Sequence, residues 1–517
     1  MGERTDIVVV GAGIAGLAAA ARLAAAGRSV AVLERADAPG GKIRAVPTIA
    51  GPCDAGPTVM TMADVFEDLF ADCGERLTDH VTLEPMAVIA RHLWEDGTRL
   101  DLHGDPALSL RAVRAAFGAV TAGRFATLSA SFARLLDAFD APMMRSAEPS
   151  VPRLSAAVAA RPRLLADMAP HRSLSAHLRA RLREPRLAQL LGRYATYVGG
   201  SPFAAPALLG LISQAEARGV WRVSGGMHAL PRAVAALAER RGARIRCGVH
   251  VERLERDGEG WRVAAGPDSI LARDVLFAGD PRALAAGLLG PDPAPAVPRR
   301  AAHPRSLSAC VLAFAARARG LDIAHHTVLF GDEAEEFGAL AEGRLPTRGT
   351  LYLCAQDRAA DGSGAPDGPE RFEIILNAPP GLALSDEETR RCTTLILDRL
   401  ARFGLTFDPP PGPEALTTPA GFEAMFPGSM GSLYGLSPHG STAALRRPKA
   451  RTRLPGLWLA GGGTHPGAGV PMAALSGRHA AEAILKVRPS TSPSLRGATP
   501  GGTSTPSPTT APPPSPS

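Results

Sequence analysis

The sequence predicts an α/β protein built on a dinucleotide-binding unit, with a mixed second unit and a helical stretch inserted along the chain. Three observations predict it. Residues 6–34 read strand, glycine turn, helix, strand. Residues 101–215 turn to an Arg/Ala/Leu-rich helical pattern broken by prolines. A second glycine-rich turn, GGGTHPGAG, opens at residue 461 ahead of an Ala-rich helical run. At 517 residues the chain also exceeds the roughly 250–300 that one hydrophobic core serves, so two or more subdomains are expected.

Asp6 to Val10 is a short apolar strand, Ala15 to Ala26 an Ala/Leu helix, and Ser29 to Leu33 the next strand. Between the first two lies Gly11-Ala12-Gly13-Ile14-Ala15-Gly16, a GxGxxG turn in its full context. Gly11 permits the tight turn, Gly13 lets the backbone approach a pyrophosphate, and Gly16 lets helix and strand pack closely, as in a Rossmann-type unit. The first N–H groups of the helix, Ala15 among them, then face the phosphates with a partial positive charge. Glu34 ends the second strand, where a carboxylate accepts hydrogen bonds from ribose hydroxyls and favours a free 2′-hydroxyl over a 2′-phosphate.

Further along, Ser224-Gly225-Gly226 precedes a helix through Arg240, then strand-like runs at Arg244 to Val251 and Trp261 to Val263. Residues 305–440 mix strand-like runs (Thr350 to Leu353, Phe372 to Leu376) with loops and a helix near Asp386 to Phe403. Leu457 to Ala460 reads as a strand, and Val470-Pro471-Met472 opens the last helix. From residue 488 the chain is rich in Pro, Ser, Thr and Gly, cannot bury enough surface to offset chain entropy, and is expected to be disordered.

The net charge of +7 is carried almost wholly by arginine: Lys42, Lys449 and Lys486 are the only lysines among 57 basic residues. The arginines form no stripe and no aromatic residues interleave with them, which argues against nucleic acid as a partner. The six cysteines form no CxxC pair and no metal-ligand spacing, so reduced thiols and no metal are expected. MGERTDIVVV is too briefly apolar for a signal peptide. Tyr194 to Gln214 lacks charge but is broken by Gly199, Gly200, Pro202 and Pro206, so it does not span a membrane.

Beyond Glu34, the segments Pro39-Gly40-Gly41-Lys42-Ile43-Arg44 and Asp54-Ala55-Gly56-Pro57-Thr58 exceed what a plain NAD site needs, and no second GxGxxG awaits NAD(P)H. They resemble the extended signature of the flavoprotein family that includes amine oxidases, GDP-dissociation inhibitors and phytoene desaturases. Over nearly the whole folded chain the sequence is most similar to bacterial carotenoid desaturases. Gly51 to Thr61, WRVSGGMHAL (Trp221 to Leu230), Ala324 to Phe330 and Gly431 to Gly435 resemble that group's motifs. PGGKIRAVP, AGPCDAGPTVMT, ARHLWEDGTRLDL and LFAGDPRALAAGLLG are most similar to the branch of 1-hydroxycarotenoid 3,4-desaturases. Ala278-Gly279-Asp280 stands where many phytoene desaturases carry an NAD-type tripeptide.

The resemblance implies a discontinuous Rossmann-type FAD-binding domain over 1–100, 216–290 and 448–487. It implies a helical substrate and membrane-associating region over 101–215, and a mixed α+β substrate domain over 291–447. FAD is the implied cofactor. Gly11, Gly13, Ala15, Gly16, Glu34 and Arg35 would serve its ADP half, and Val251 would meet the adenine. Gly41 and Lys42 would run beside the pyrophosphate and flavin. Gly56, Pro57 and Thr58 would approach the isoalloxazine, Gly462 and Gly463 the pyrophosphate and ribityl chain, and Val470, Pro471 and Met472 the pyrimidine edge.

The implied reaction moves a hydride from an acyclic 1-hydroxycarotenoid to flavin N5 and loses a proton from the neighbouring carbon, leaving a C3–C4 double bond. The sequence names no catalytic base. His228, His325 and His326 are expected to be structural, Trp94 and Tyr197 to be packing residues, and His465 to pack near the cofactor rather than hold a metal. The substrate lives in lipid, which implies a cytoplasmic protein held peripherally at the inner or photosynthetic membrane. Tyr194 to Gln214 then either lies on that membrane or lines the substrate tunnel. The electron acceptor, oxygen or a quinone, stays open. The alternative within the group is a phytoene or other acyclic carotenoid desaturase. A flavin amine oxidase is opposed by the absence of lysine between Lys42 and Lys449 and by only four tyrosines to build an amine cage. A non-enzymatic binder like the GDP-dissociation inhibitors is opposed by the complete GGK and C-terminal glycine motifs.

Overall fold

In the computed structural model, which describes residues 3–361 and 364–487, the strand Glu3–Val10 lies at the heart of a seven-stranded sheet. The expected disorder of 488–517 falls outside the described residues. Glu3–Val10 runs parallel to Val30–Leu33 on one side and to Asp268–Phe277 on the other. Arg244–Arg246 extends the sheet beyond Val30–Leu33, also in parallel. Asp268–Phe277 divides its outer edge. Its first half pairs antiparallel with Gly260–Ala265, and its last three residues pair parallel with Leu457–Leu459. Four strands drawn from both ends and the middle of the chain therefore finish around one edge. Val30–Leu33 and Leu457–Leu459 are buried throughout, as fits parallel strands covered on both faces.

The strand expected from Arg244 to Val251 stops at Arg246. Gly248 adopts φ +71°, and the chain then bonds back to the end of the second strand, with Gly248 N–H donating to Ala36 O and Val249 N–H to Glu34 O. This diversion leaves Val251 buried beside that strand end, in the same apolar cluster as Ala31 and Leu33.

The second sheet has eight strands. Leu405–Asp408, Ser308–Gly320, Glu370–Ala378, Leu351–Ala355, His326–Leu329, Val88–Leu93 and Arg99–His103 follow in that order, and Leu416–Thr417 also pairs with Ser308–Gly320. Val88–Leu93, from within the 1–100 segment, joins this sheet by pairing in parallel with His326–Leu329. Side chains alternate cleanly across this sheet. Leu351, Leu353 and Leu376 pack with Ile396 and Leu400 of the helix Asp386–Arg402, which carries a Ser385/Glu388 capping box. Val328, Tyr352 and Cys354 face a helical layer led by Pro106–Phe139, whose run is interrupted at Gly118.

The helices Ile14–Ala25, Ala229–Arg240 and Val470–Val487 share one core against the first sheet. Gly477 lets the last helix lie on the first: a Cβ there would sit 2.2 Å from Ala15 O and 3.2 Å from Ala18 Cβ. Gly477→Ala is expected to destabilise by about 1–3 kcal/mol through overpacking, despite its better helix propensity. Gly338→Ala, in a helix with open space around that position, is expected to stabilise by about 0.5–1 kcal/mol. Chemical denaturation of the two variants checks both signs.

Candidate active site

The first glycine turn is shaped by close backbone approach. Gly11 holds φ +104°, and a Cβ on Gly16 would sit 2.1 Å from Gly11 O. The GGK segment lies against it: Gly40 N–H donates to Ala12 O at 2.9 Å, and a Cβ on Gly41 would meet Gly13 Cα at 3.0 Å. The helix Ile14–Ala25 starts at Gly13 with no side-chain cap and no acid in its first turn, so its leading N–H groups, Ala15 included, suit an anion. Glu34 is buried and accepts from Ala12 N–H at 2.7 Å and Ala36 N–H at 2.9 Å, which fixes its carboxylate beside the turn. The side chains of Arg35 and Lys42 go elsewhere. Arg35 is exposed and donates to Ala424 O at 3.0 Å, and Lys42 Nζ donates to Leu433 O at 2.7 Å, with burial lowering its ammonium to about 8.

The second glycine turn lies beside the first. Ala278 separates them: a Cβ on Gly11 would meet Ala278 C at 3.6 Å, and one on Gly461, at φ +123°, would meet Ala278 O at 3.4 Å. A Cβ on Gly462 would make only ordinary contacts, with Ala468 Cα and Gly467 O at 3.9 Å, whereas one on Gly463 would meet Pro281 Cδ at 2.6 Å. Asp280 caps the short helix that follows, accepting from Arg282 N–H at 2.9 Å, and forms a buried ion pair with Arg305. The uncapped turn, the backbone cradle and the buried Glu34 together fit the ADP portion of a dinucleotide.

Asp54 anchors the next segment. Its carboxylate accepts from Met227 N–H at 2.6 Å, His228 N–H at 3.1 Å and His228 Nδ1 at 2.7 Å. Gln356 clamps its backbone from the second sheet, donating to Asp54 O at 2.8 Å and accepting from Asp54 N–H at 2.9 Å. Gly56 is pressed on the GGK segment, where a Cβ would sit 2.0 Å from Lys42 O.

A cavity of ≈ 810 Å³ opens beyond this segment, and Gly56, Pro57, Thr58, Val470, Pro471 and Met472 all line it. Two of the expected flavin-facing segments thereby share one chamber. Its remaining wall is mainly apolar, with Leu136, Phe139, Met143, Leu208, Leu211 and Ile212 among its residues. Within the run from Tyr194 to Gln214, Thr196 to Val198, Pro206, Leu208, Leu209, Leu211 and Ile212 line the cavity. His465 is also on the wall, stacked on His479 and bonded through Nε2 to Ser146 O at 2.8 Å.

Polar groups reach this wall from the second sheet and the helical layer. Tyr352 OH contacts Thr58 Oγ1 at 2.7 Å and His326 Nδ1 at 2.6 Å. Tyr194 and Tyr197 both donate to Glu216, and Arg193 lies over the rings of Tyr197 and Tyr352, 5.2 and 5.3 Å from their centroids. Burial raises the Glu216 carboxyl above its ordinary range, although both phenols act against the shift. Tyr197, expected as a packing residue, is thus on the wall, whereas Trp94 packs on Phe330 at 4.7 Å and donates to Gln189. Sequence reasoning missed Arg193, Glu216 and Tyr352. The one available signal was the pair of charges bracketing the otherwise uncharged 194–214 stretch.

His325, His326 and Cys354 bring their ligand atoms within 4.8 Å of one another, a grouping invisible in linear spacing. His325 Nδ1 bonds Arg358 O at 3.0 Å, and burial lowers the imidazole to about 4. Glu373, fully buried on the same sheet, has no hydrogen-bond partner for either oxygen among the described residues, and desolvation pushes its pKa well above the carboxylate range although the Arg44 charge acts against the shift.

Residues 14–485 match the family described as flavin containing amine oxidoreductase. The hydroxyneurosporene desaturase of Cereibacter sphaeroides is 53% identical over 483 residues, covering 93% of this chain and 97% of that one. The hydroxyneurosporene desaturase of Rhodobacter capsulatus is 48% identical over 493 residues, covering 94% and 99%. Among solved structures, putrescine oxidase bound to putrescine superposes with a TM-score of 0.61 at 17% identity, covering 94% of this chain and 100% of that one, a similarity of fold alone.

Two substitutions test the geometry. Gly56→Ala is expected to cut the bound flavin per protein, read from visible absorbance, because its Cβ collides with the GGK backbone. Glu373 is protonated in the fold but ionises near pH 4.5 when unfolded, so its contribution is full below that pH and is lost as pH rises towards its elevated folded value. Glu373→Gln should therefore become more stable than the parent above pH 4.5, by up to about 1.4 kcal/mol per pH unit, measured by denaturant titration across pH.

Proposed function

The chain belongs to the flavin containing amine oxidoreductase family, and from that premise we propose that it is an FAD-dependent desaturase forming the C3–C4 double bond of 1-hydroxy acyclic carotenoids such as 1-hydroxyneurosporene. The relatives named hydroxyneurosporene desaturase, matched over almost their full lengths, support the substrate class. The observation that carries the reading is the apolar cavity meeting both Gly56 to Thr58 and Val470 to Met472. Its wall contains no lysine among the described residues.

When bound, FAD accepts the hydride that leaves one of the two carbons. The protein's own contribution is position and dryness. Gly11 to Gly16, Glu34 and Gly462 to Gly463 would hold the nucleotide and its chain. Gly56 to Thr58 and the start of the helix Val470–Val487 frame the place of reaction. The leucine, phenylalanine and methionine wall excludes water and keeps the polyene extended. Loss of a hydride from an allylic carbon leaves a delocalised cation whose neighbouring proton is acidic, so the reaction does not demand a strong base at the wall.

No described helix is long and apolar enough to cross a membrane. The substrate's route is instead assigned to the helix Pro162–Met168. Leu165 lines the cavity yet is 48% exposed, and Arg161, Arg163 and Arg172 are exposed around it. This combination suits peripheral contact with an anionic bilayer. In flotation with anionic liposomes the protein should rise with the lipid, and Leu165→Asp should weaken that binding several-fold. With liposomes carrying one carotenoid each, 1-hydroxyneurosporene should be converted to a product whose absorption moves to longer wavelength. Conversion of phytoene with hydroxycarotenoids left unchanged would contradict the proposal.

A further inference from the structure

The cavity wall holds one cation whose hydrogen-bonding capacity is largely unspent. Arg193 stacks between the rings of Tyr197 and Tyr352 and makes a single hydrogen bond among the described residues, from Nη1 to Tyr197 OH at 3.4 Å. A guanidinium has five N–H donors in a rigid fork and does not lose its charge in proteins. The acid on this wall is one residue removed, since Tyr197 OH donates to Glu216 Oε1 at 2.9 Å. Several other polar groups on this wall are committed. Glu336 accepts from Thr350 N–H and Asn377 Nδ2 at 2.9 Å each. Arg447 donates to the carbonyls of Tyr434, Leu436 and Gly462. Gln189 accepts from Trp94 and donates to Gly331 O.

The position of Arg193 matters as much as its donors. The ring it covers belongs to Tyr352, whose hydroxyl is 2.7 Å from Thr58 Oγ1, on the segment assigned above to the place of reaction. In a 1-hydroxycarotenoid, the oxygen is separated from the C3–C4 bond by few bonds of about 1.5 Å each, so the hydroxyl cannot lie more than about 5 Å from the reacting carbons. A group that recognises it must therefore stand beside the reaction centre, within an otherwise apolar chamber. We propose that Arg193, oriented by Tyr197 and Glu216, binds the substrate's 1-hydroxyl and so selects hydroxylated carotenoids and sets their C3–C4 bond in place. The hydroxyl oxygen accepts from the free edge of the guanidinium. A hydrocarbon end group in the same place leaves those donors unmet after displacing water, which is the larger part of the discrimination.

This inference rests on the proposed function and deepens it. The test compares kcat/KM, normalised to bound flavin, for 1-hydroxyneurosporene and for neurosporene, which lacks the hydroxyl. The parent should prefer the hydroxylated substrate. Arg193→Met, which keeps length without donors, should lower that preference by at least about 10-fold, the worth of a hydrogen bond to a charged group. Arg193→Lys should recover part of it. Should Arg193→Met fail to fold, Tyr197→Phe serves in its place: it removes the one hydrogen bond that orients the guanidinium, and the preference should fall there too. A preference that survives both Arg193→Met and Tyr197→Phe overturns the assignment of Arg193 alone. A parent enzyme with no preference for the hydroxylated carotenoid overturns the functional reading beneath it.

Discussion

The rest of the structure depends on one backbone junction, where the strands Glu3–Val10 and Leu457–Leu459 end on either side of Ala278. Ligands of open α/β sheets bind outside the carboxyl ends of their strands. Placing a glycine turn at each of two such ends makes a single extended cradle from segments about 450 residues apart in the chain. Side chains larger than hydrogen cannot be accommodated where these turns and their helices touch. Gly16 meets Gly11 O, Gly56 meets Lys42 O, and Gly477 meets Ala15 O at 2.0–2.2 Å from a notional Cβ. The C-terminal helix is thus locked onto the N-terminal one, and its first turn is delivered to the cavity as a consequence.

The second sheet supplies a different environment. Its helix-facing side is hydrocarbon interrupted by a small set of polar groups, and burial pushes most of those towards neutrality. His325, His326, Glu216 and Glu373 all shift in the direction that removes charge. Arg193 is the exception, because a guanidinium does not deprotonate. A dry chamber with one guanidinium whose donors are largely unspent suits a long apolar substrate bearing one polar end. It also suits chemistry in which the cofactor carries the electrons and the protein excludes water.

The local parts of this site were legible in the sequence. GxGxxG, GGK and DAGPT are each contiguous, and Gly16 answers a constraint set within its own turn, whereas Gly41 meets Gly13 and Gly56 meets Lys42 across segments. Glu34 follows from its place at the end of a strand. The C-terminal turn, by contrast, acquired meaning only through resemblance, because nothing in its own composition says which strand it will lie beside. The cavity's polar wall was less accessible still. Thr58 and Tyr352 are 294 residues apart, and Tyr194 and Glu216 meet only because intervening short helices fold back. Val88–Leu93 alternates like a strand, but its membership of the second sheet is decided by pairing with His326–Leu329, more than 200 residues later. Arg35 and Lys42 bond to carbonyls at Ala424 and Leu433 that no local pattern announces.

A structure of the flavin-loaded protein with 1-hydroxyneurosporene tests the central claim most directly. The pyrophosphate should lie at the turns of Gly11 to Gly16 and Gly462 to Gly463, and the isoalloxazine between Gly56 to Thr58 and Val470 to Met472. The polyene should fill the cavity with its hydroxyl on Arg193. A flavin ring bound outside that chamber, or a substrate whose hydroxyl end points away from Thr58, would contradict it.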